Sequence, residues 1–139
     1  MISLRSSLTR LSRGALILLA AVATADSNAF AAEKIPLTEP ELNALLANGL
    51  SVSSTDMLGG KYFTAHVTYA TNGTLSGAVT FTGRAPIDVK GTWKLDGPRL
   101  CRTIIPFQPE EICETWLRSG SNEVTIRIGD TEIGVSRWQ

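Results

Sequence analysis

The feature of this sequence that most restricts its fold is an alternation of apolar and polar residues over short segments. The clearest segment covers residues 62–69, where the apolar residues that share one face are Phe63, Ala65, Val67 and Tyr69. Because successive side chains of a β-strand point to opposite faces, this period of two predicts a strand with one buried face. The pair Asn72-Gly73 follows, and it accepts the positive φ angles of a tight hairpin turn. A second strand is therefore predicted at residues 75–82.

The alternation continues to the C-terminus in short segments that turn residues separate. It predicts further strands at residues 89–95, 100–105, 112–117, 123–128 and 133–138. An antiparallel sheet of seven or eight short strands avoids exposed edges when it closes on itself or nearly so. We therefore expect a mainly β fold, either a small antiparallel barrel or a sandwich.

One helix is predicted before the strands. Thr38 and Glu41 form a T-x-x-E capping box, in which each side chain binds a backbone N–H that the helix leaves free. The apolar stripe of this segment consists of Leu42, Leu45 and Leu46. Asn48-Gly49 then provides residues that tolerate a left-handed helix end. We predict a helix over residues 39–47 that packs against the sheet.

The N-terminus has the three-part layout of an export signal. An uncharged apolar segment at residues 15–25 follows Arg5, Arg10 and Arg13. This segment is too short for a membrane-spanning helix, which needs about 20 residues. Small residues suitable for signal peptidase follow at Ala29-Phe30-Ala31, and an earlier alternative is Ala23-Thr24-Ala25. We predict a signal peptide at residues 1–31 and one soluble domain at residues 32–139, in the periplasm or outside the cell.

The charge of the mature chain argues against nucleic acid as a partner. The chain has 13 Lys and Arg residues and 13 Asp and Glu residues; residues 1–31 hold three of the former and one of the latter, which leaves the mature domain at −2. Nucleic-acid binding needs a basic surface instead. Insertion of the mature chain into a membrane is also disfavoured, because spanning strands need about nine to eleven residues with an apolar outer face. The predicted strands are shorter and carry charged residues.

Cys101 and Cys113 are the two cysteines of the chain. In a small exported domain such a pair favours a disulfide, and a loop of this length contributes about 3 kcal/mol. The alternative is a redox or metal-binding pair, but the spacing is not C-x-x-C and no further ligand set accompanies it. We predict a disulfide that joins neighbouring strands across residues 106–111, and we expect no metal or cofactor.

His66 is the one histidine of the chain, on the more polar face of its predicted strand. Any Ser/His/Asp or Cys/His apparatus would depend on it. The simpler interpretation is an exposed or hydrogen-bonded strand histidine. We therefore predict no catalytic residues and expect a binding protein rather than an enzyme.

Acidic residues cluster near the predicted disulfide. The residues concerned, together with one neighbouring glutamine, are Gln108, Glu110, Glu111 and Glu114. Paired carboxylates can divide acid and base roles, but adjacent loop carboxylates are more often simply solvated. A loop that a disulfide and prolines hold in place loses little conformational entropy on binding. We predict that these four residues form a rigid acidic loop that recognises a partner.

The aromatic residues allow two interpretations. They are Trp93, Trp116, Trp138, Phe63, Phe81, Tyr62 and Tyr69. These side chains are enough to fill a small core. Alternatively, they line a ligand cavity, as aromatic residues do at the mouths of barrels.

Several short motifs also carry a resemblance to known proteins. They are Leu37-Thr38-x-x-Glu41-Leu42-x-x-Leu45-Leu46, Asn72-Gly73-Thr74, Gly91-Thr92-Trp93, Leu100-Cys101 and Cys113. With the export signal, this pattern resembles a broad group of small periplasmic bacterial proteins of unassigned function. The G-x-W motif followed by a lone cysteine pair is similar to lipocalin-like barrels, which include periplasmic lysozyme inhibitors.

These features together predict a non-enzymatic periplasmic binding or regulatory module whose partner is a periplasmic or envelope protein. One alternative is an inhibitor of lysozyme or of proteases. Another is a carrier that holds a small apolar ligand in a barrel cavity. A cavity of several hundred Å³ would favour the carrier, and an interior packed solid by the tryptophans would count against it.

Overall fold

The strands follow one another along the chain with short connections. The computed structural model describes residues 33–56 and 63–139, so the predicted signal peptide lies outside the described residues. The elements within these ranges are β1 (Ile35–Pro36), α1 (Glu39–Leu46), β2 (Leu50–Asp56), β3 (Phe63–Tyr69), β4 (Thr74–Phe81), β5 (Ile87–Asp96), β6 (Arg99–Ile104), β7 (Gln108–Gly120), β8 (Glu123–Ile128) and β9 (Thr131–Arg137). The seven predicted strands are present as β3 to β9. The mainly β prediction is therefore confirmed.

The sheet closes into an eight-stranded antiparallel barrel. Each strand from β2 to β8 pairs with the next one along the chain, and β9 pairs back with β2. At this closing contact Ser54 lies opposite Ser136, and their hydroxyl oxygens are 2.6 Å apart. Of the two predicted architectures, the structure is thus the barrel rather than the sandwich.

The long strand β7 pairs with three other strands. Its first half pairs with β6 and its second half with β8. The two-residue strand β1 pairs with β7 at Ile35↔Arg118 and Pro36↔Leu117. Proline cannot donate a ladder hydrogen bond, and a short edge strand of this kind tolerates it.

The helix α1 covers one end of the barrel. Its predicted capping box is present, because Glu41 N donates to Thr38 Oγ1 (3.4 Å) and Thr38 N donates to Glu41 Oε2 (2.7 Å). Leu42 and Leu46 are buried in the barrel's apolar cluster. Glu41 also lies 3.8 Å from the guanidinium of Arg118, late in β7. This end therefore contains the helix, the start of β2 and the end of β3.

The inner and outer faces of β3 match the predicted alternation. The residues that are buried or half-buried are Phe63, Ala65, Val67 and Tyr69, whereas Thr64, His66 and Thr68 are exposed. The predicted hairpin turn joins β3 to β4. There Asn72 Oδ1 accepts hydrogen bonds from Thr74 N (3.1 Å) and Thr74 Oγ1 (2.6 Å), and Gly73 has a φ of +84°.

The strands β5 and β6 approach each other closely at Gly91. A Cβ atom at this position would lie 1.9 Å from the carbonyl oxygen of Thr103. The Thr103 hydroxyl replaces a ladder contact here, since Thr92 N donates to Thr103 Oγ1 at 3.0 Å. Only glycine fits this contact, because any other side chain would require a backbone shift.

The disulfide links β6 to β7. Cys101 and Cys113 are directly opposite each other, with their Cα atoms 3.9 Å apart. The predicted cross-strand disulfide is therefore confirmed. Leu100 belongs to the apolar cluster of the interior, so alternation along β6 places Cys101 on the outer face.

Across the described residues, no helix combines the length and the apolar character that crossing a membrane requires.

Candidate functional site

A cavity of about 310 Å³ lies in the half of the barrel away from α1. Its walls come from strand ends on that side, including the start of β3, the end of β4 and the end of β6. The apolar lining includes Phe63, Ala65, Val79, Phe81, Ile104 and Ile126. These side chains point inward because the alternation of each strand puts its apolar residues on the inner face. The cavity therefore follows directly from the pattern that defines the strands.

Aromatic rings line the end of the cavity that lies away from α1. The ring centroids of Phe63 and Phe81 are 5.9 Å apart, and those of Phe81 and Phe107 are 5.7 Å apart. Phe107 follows β6 in the turn to β7, and 46% of it is exposed. Tilted aromatic contacts of this kind provide an apolar rim with defined geometry.

An ion pair forms the inner end of the cavity. Arg102 lines the cavity from β6, and its Nε and Nη2 atoms each lie 3.0 Å from Glu114 Oε2 on β7. The other carboxylate oxygen, Oε1, accepts a hydrogen bond from Trp116 Nε1 at 2.8 Å. Glu114 is only 1% exposed, whereas the Arg102 side chain is 15% exposed. Buried charges require such partners, since an unpaired one is costly.

The surroundings of Arg102 keep it charged and keep its neighbour Tyr69 neutral. Burial alone would lower the pKa of Arg102, but the carboxylate of Glu114 outweighs it and the pKa is raised. Burial raises the pKa of Tyr69, which lines the same cavity and is influenced by both charges. At neutral pH the inner end therefore presents a guanidinium and a phenol.

The tryptophans fill the other half of the barrel. Trp116 is buried, and its ring centroid lies 5.9 Å from that of Tyr69. Trp93 lies on the other side of Tyr69 at 6.1 Å, and its Nε1 atom donates to Ala70 O at 2.8 Å. Trp138 packs partly buried against the core, and Tyr62 lies outside the described residues. Trp116 is thus a core residue with Trp93 and Trp138 packed against the core, while Phe63, Phe81, Phe107 and Tyr69 line the cavity.

The four residues of the predicted acidic loop do not lie together in an exposed loop. The segment is mostly strand, because β7 begins at Gln108. Glu110 and Glu111 are exposed, and Glu111 lies 3.2 Å from Lys94 Nζ. Gln108 lines the cavity and is half-buried. These residues therefore lie on the strand that leads to the inner end of the cavity.

The position of Glu114 corrects the expectation of a solvated loop carboxylate. Alternation along β7 turns this side chain inward, where it meets Arg102. The pairing of the two cysteines across β6 and β7 is the observation that could have indicated this pair. It places Leu100 opposite Glu114 and Arg102 opposite Ile112, so both charged residues share the inner face. The sequence pattern does not single out Arg102, since most charged residues of strands are exposed.

His66 lies outside the barrel, on the face opposite to the cavity. It is exposed, and its Nδ1 atom lies 2.8 Å from Ser53 Oγ on the neighbouring strand β2. This position agrees with the simpler of the two interpretations, a hydrogen-bonded strand histidine.

One cluster of metal-ligand residue types occurs among the described residues. It consists of Asp96 and the two cysteines, whose ligand atoms lie within 4.8 Å of one another. The sulfur atoms are bonded to each other in the disulfide, so they offer no thiolate to a metal ion. This cluster is a disulfide with a neighbouring carboxylate.

Comparison with known proteins gives no match: no protein-family model, curated protein or solved structure is significantly similar to this chain.

Proposed function

We propose that this protein binds a small, largely apolar molecule in the half of its barrel away from α1. The observation that carries the proposal is the cavity of about 310 Å³ with its apolar lining. Ligand sites in proteins occupy about 300–1,000 Å³ and combine an apolar wall with a few polar groups. The volume lies at the lower end of that range, which favours a compact ligand or one with a single chain.

The cavity is larger than ordinary imperfections of packing. Protein interiors contain few voids larger than a water molecule. Burial of apolar surface yields about 25 cal/mol per Å², so a half-buried wall residue such as Phe63 forgoes stabilisation while it faces water. A bound apolar molecule would recover that free energy, and this difference drives the proposed binding.

The test uses a neutral fluorophore, N-phenyl-1-naphthylamine, which becomes bright in an apolar environment. Ala65 is buried on β3 and lines the cavity, so Ala65→Phe reduces the cavity volume. Thr64 is its exposed neighbour, so Thr64→Phe is the matched control. We expect wild type and Thr64→Phe to bind the fluorophore and Ala65→Phe to lose about tenfold or more in affinity, with circular dichroism to show that all three fold. Equal affinities for the two variants would overturn the proposal.

A second candidate function is recognition of a periplasmic or envelope protein by the turn between β6 and β7. Ile105 and Phe107 are each 46% exposed in this turn, and the exposed carboxylates of Glu110 and Glu111 follow it. Apolar side chains beside charged ones are typical of protein interfaces. The Cys101–Cys113 disulfide supports an oxidising compartment for this interaction.

This candidate is tested by capture of partners from a periplasmic extract. Wild type is compared with the variant Glu110→Ala/Glu111→Ala, and inhibition of lysozyme and of proteases is assayed on both. We expect the variant to lose a partner or an inhibitory activity that wild type has. Equal behaviour of the two proteins would remove this segment from the proposal.

A further inference from the structure

The inner end of the cavity is polar in one specific way. Arg102 is the charged residue among those that line the cavity. A guanidinium carries five N–H donors and no acceptor. The contacts to Glu114 come from Nε and Nη2, and both reach the same oxygen, Oε2. The ion pair therefore uses only part of the donor capacity of Arg102.

The remaining nitrogen, Nη1, faces accessible space. Within residues 33–56 and 63–139, the structure shows no hydrogen bond from this atom to another residue. In the described part of the chain, Arg127 Nε is the one buried side-chain nitrogen or oxygen that has no hydrogen-bond partner. Nη1 of Arg102 has no such partner either, so it is not buried. Nη1 therefore touches solvent-accessible space, and the cavity is the space that Arg102 lines.

We propose that the ligand is an amphipathic carboxylate that binds with its head group on Arg102 and its apolar chain directed to Phe63, Phe81 and Phe107. This inference rests on the proposed function and specifies the ligand class. Arg102 then bridges two carboxylates, one from Glu114 and one from the ligand. The phenol of Tyr69, at the same end of the cavity, provides a further donor.

The occupancy of Glu114 distinguishes a carboxylate from other head groups. Its Oε1 atom already accepts from Trp116, and its Oε2 atom accepts from Arg102. A cationic head group would also have to approach the guanidinium of Arg102, which lines the cavity and repels like charge. The oxygen of a neutral alcohol can also accept hydrogen bonds, but it lacks the charge assistance that about doubles the strength of such bonds.

The experiment compares decanoate with decan-1-ol, which share a chain and differ in the head group. Affinities are measured by displacement of N-phenyl-1-naphthylamine from wild type, Glu114→Gln and the double variant Arg102→Met/Glu114→Gln. The glutamine keeps a carbonyl oxygen for Trp116 Nε1, so the core contact survives in both variants. Thermal unfolding with and without each ligand shows that the variants fold.

We expect wild type to bind decanoate about tenfold more tightly than decan-1-ol. Glu114→Gln removes the competing charge, so the preference for decanoate rises further. The double variant loses the preference, because decanoate loses the charge-assisted contact and decan-1-ol loses only a neutral hydrogen bond. A wild-type preference for decan-1-ol, or an unchanged preference in the double variant, would overturn the inference while the cavity remained a binding site. Failure of both ligands and of the fluorophore to bind wild type would instead overturn the proposed function itself.

Discussion

Arg102 and Glu114 form a charge pair on the inner face of the same two strands that the disulfide joins on the outer face. The Oε2 atom of Glu114 lies 3.0 Å from both Nε and Nη2 of Arg102, and each residue directly follows one of the two cysteines. Because successive strand residues alternate between faces, the covalent link and the ion pair lie back to back. The ion pair lies between Trp116, which donates to Glu114, and the cavity, which Arg102 lines.

The first prediction concerns the charge pair. Glu114→Ala leaves the guanidinium of Arg102 without its counter-ion and Trp116 Nε1 without its acceptor. We expect a loss of about 3 kcal/mol in the free energy of unfolding, at the lower end for buried pairs because Arg102 retains contact with the cavity. Urea titration at neutral pH measures it. The control is Arg102→Met/Glu114→Gln, which removes both charges and should cost less; an equal or larger cost would contradict the coupling.

The second prediction concerns the disulfide. Replacement of both Cys101 and Cys113 by serine should lower the free energy of unfolding by about 3 kcal/mol, because the unfolded chain is then less restricted. The barrel should still form, since β6 and β7 keep their other pairings, such as Leu100↔Glu114. A reductant should shift the urea midpoint of wild type and leave that of the variant unchanged. A shift of the same size in both proteins would show that the bond does not act this way.

Local signals account for the part of the fold that could be predicted from the sequence. The strand β3 alternates clearly, and the capping box at Thr38 and the turn at Asn72-Gly73 act over three or four residues. Each of these signals depends on backbone geometry rather than on distant partners. The predicted helix was accordingly within one residue of α1.

The two strands that were missed depend on distant partners. β2 reads Leu-Ser-Val-Ser-Ser-Thr-Asp, and its serines make it resemble a loop. It is a strand because β3 and β9 both pair with it when the barrel closes. β1 has two residues and includes a proline, so it exists only as a partner of β7. Closure of the barrel is a tertiary effect that local propensity does not contain.

The cavity itself could not be predicted from the sequence in the same way. Its volume depends on how side chains from several strands fill the interior, and pattern alone does not determine whether facing residues meet. Ala65 and Gly134 are small residues that line the space. Their size becomes informative only once the register is known. Both lie opposite β2 in the closed barrel, Ala65 at Ser54 and Gly134 at Asp56.

The third prediction concerns pH and the helix cap. Hydrogen bonds from Thr38 N and then Thr38 Oγ1 hold the pKa of Glu41 below its ordinary value. A carboxyl group whose pKa is lowered by folding stabilises the protein above the pKa of the unfolded chain, and the effect is lost as the pH falls through the folded pKa. We expect Glu41→Gln to be less stable than wild type at pH 7 and the difference to shrink towards pH 3.

Urea titrations at a series of pH values measure this difference. The matched control is Glu39→Gln, which lies in the same first turn but does not take part in the capping box. Its difference from wild type should depend less on pH. If Glu41→Gln and Glu39→Gln follow the same pH profile, the bond to Thr38 is not the cause.

The last prediction concerns Gly91. In Gly91→Ala the new methyl group would lie 1.9 Å from the carbonyl oxygen of Thr103, so β5 and β6 must separate locally. Forced overpacking of this kind costs about 1–3 kcal/mol, and we expect the upper part of that range because the obstacle is backbone. The control variant is Ser76→Ala. Ser76 is an exposed residue of β4 that lies opposite Lys90 of β5. Its replacement should change stability by less than about 0.5 kcal/mol.

Hydrogen exchange locates the effect of Gly91→Ala within the barrel. The amides of Ile105 and Lys90, which donate to each other's carbonyl oxygens at 2.8 and 3.3 Å, should exchange faster in the variant. The amides between β8 and β9 should be affected only through the change in global stability. Uniform acceleration across both strand pairs would show that the glycine matters for the whole barrel rather than for this contact. Because Ile104, which lines the cavity, lies between Thr103 and Ile105, a local opening should also weaken fluorophore binding more than Ser76→Ala does.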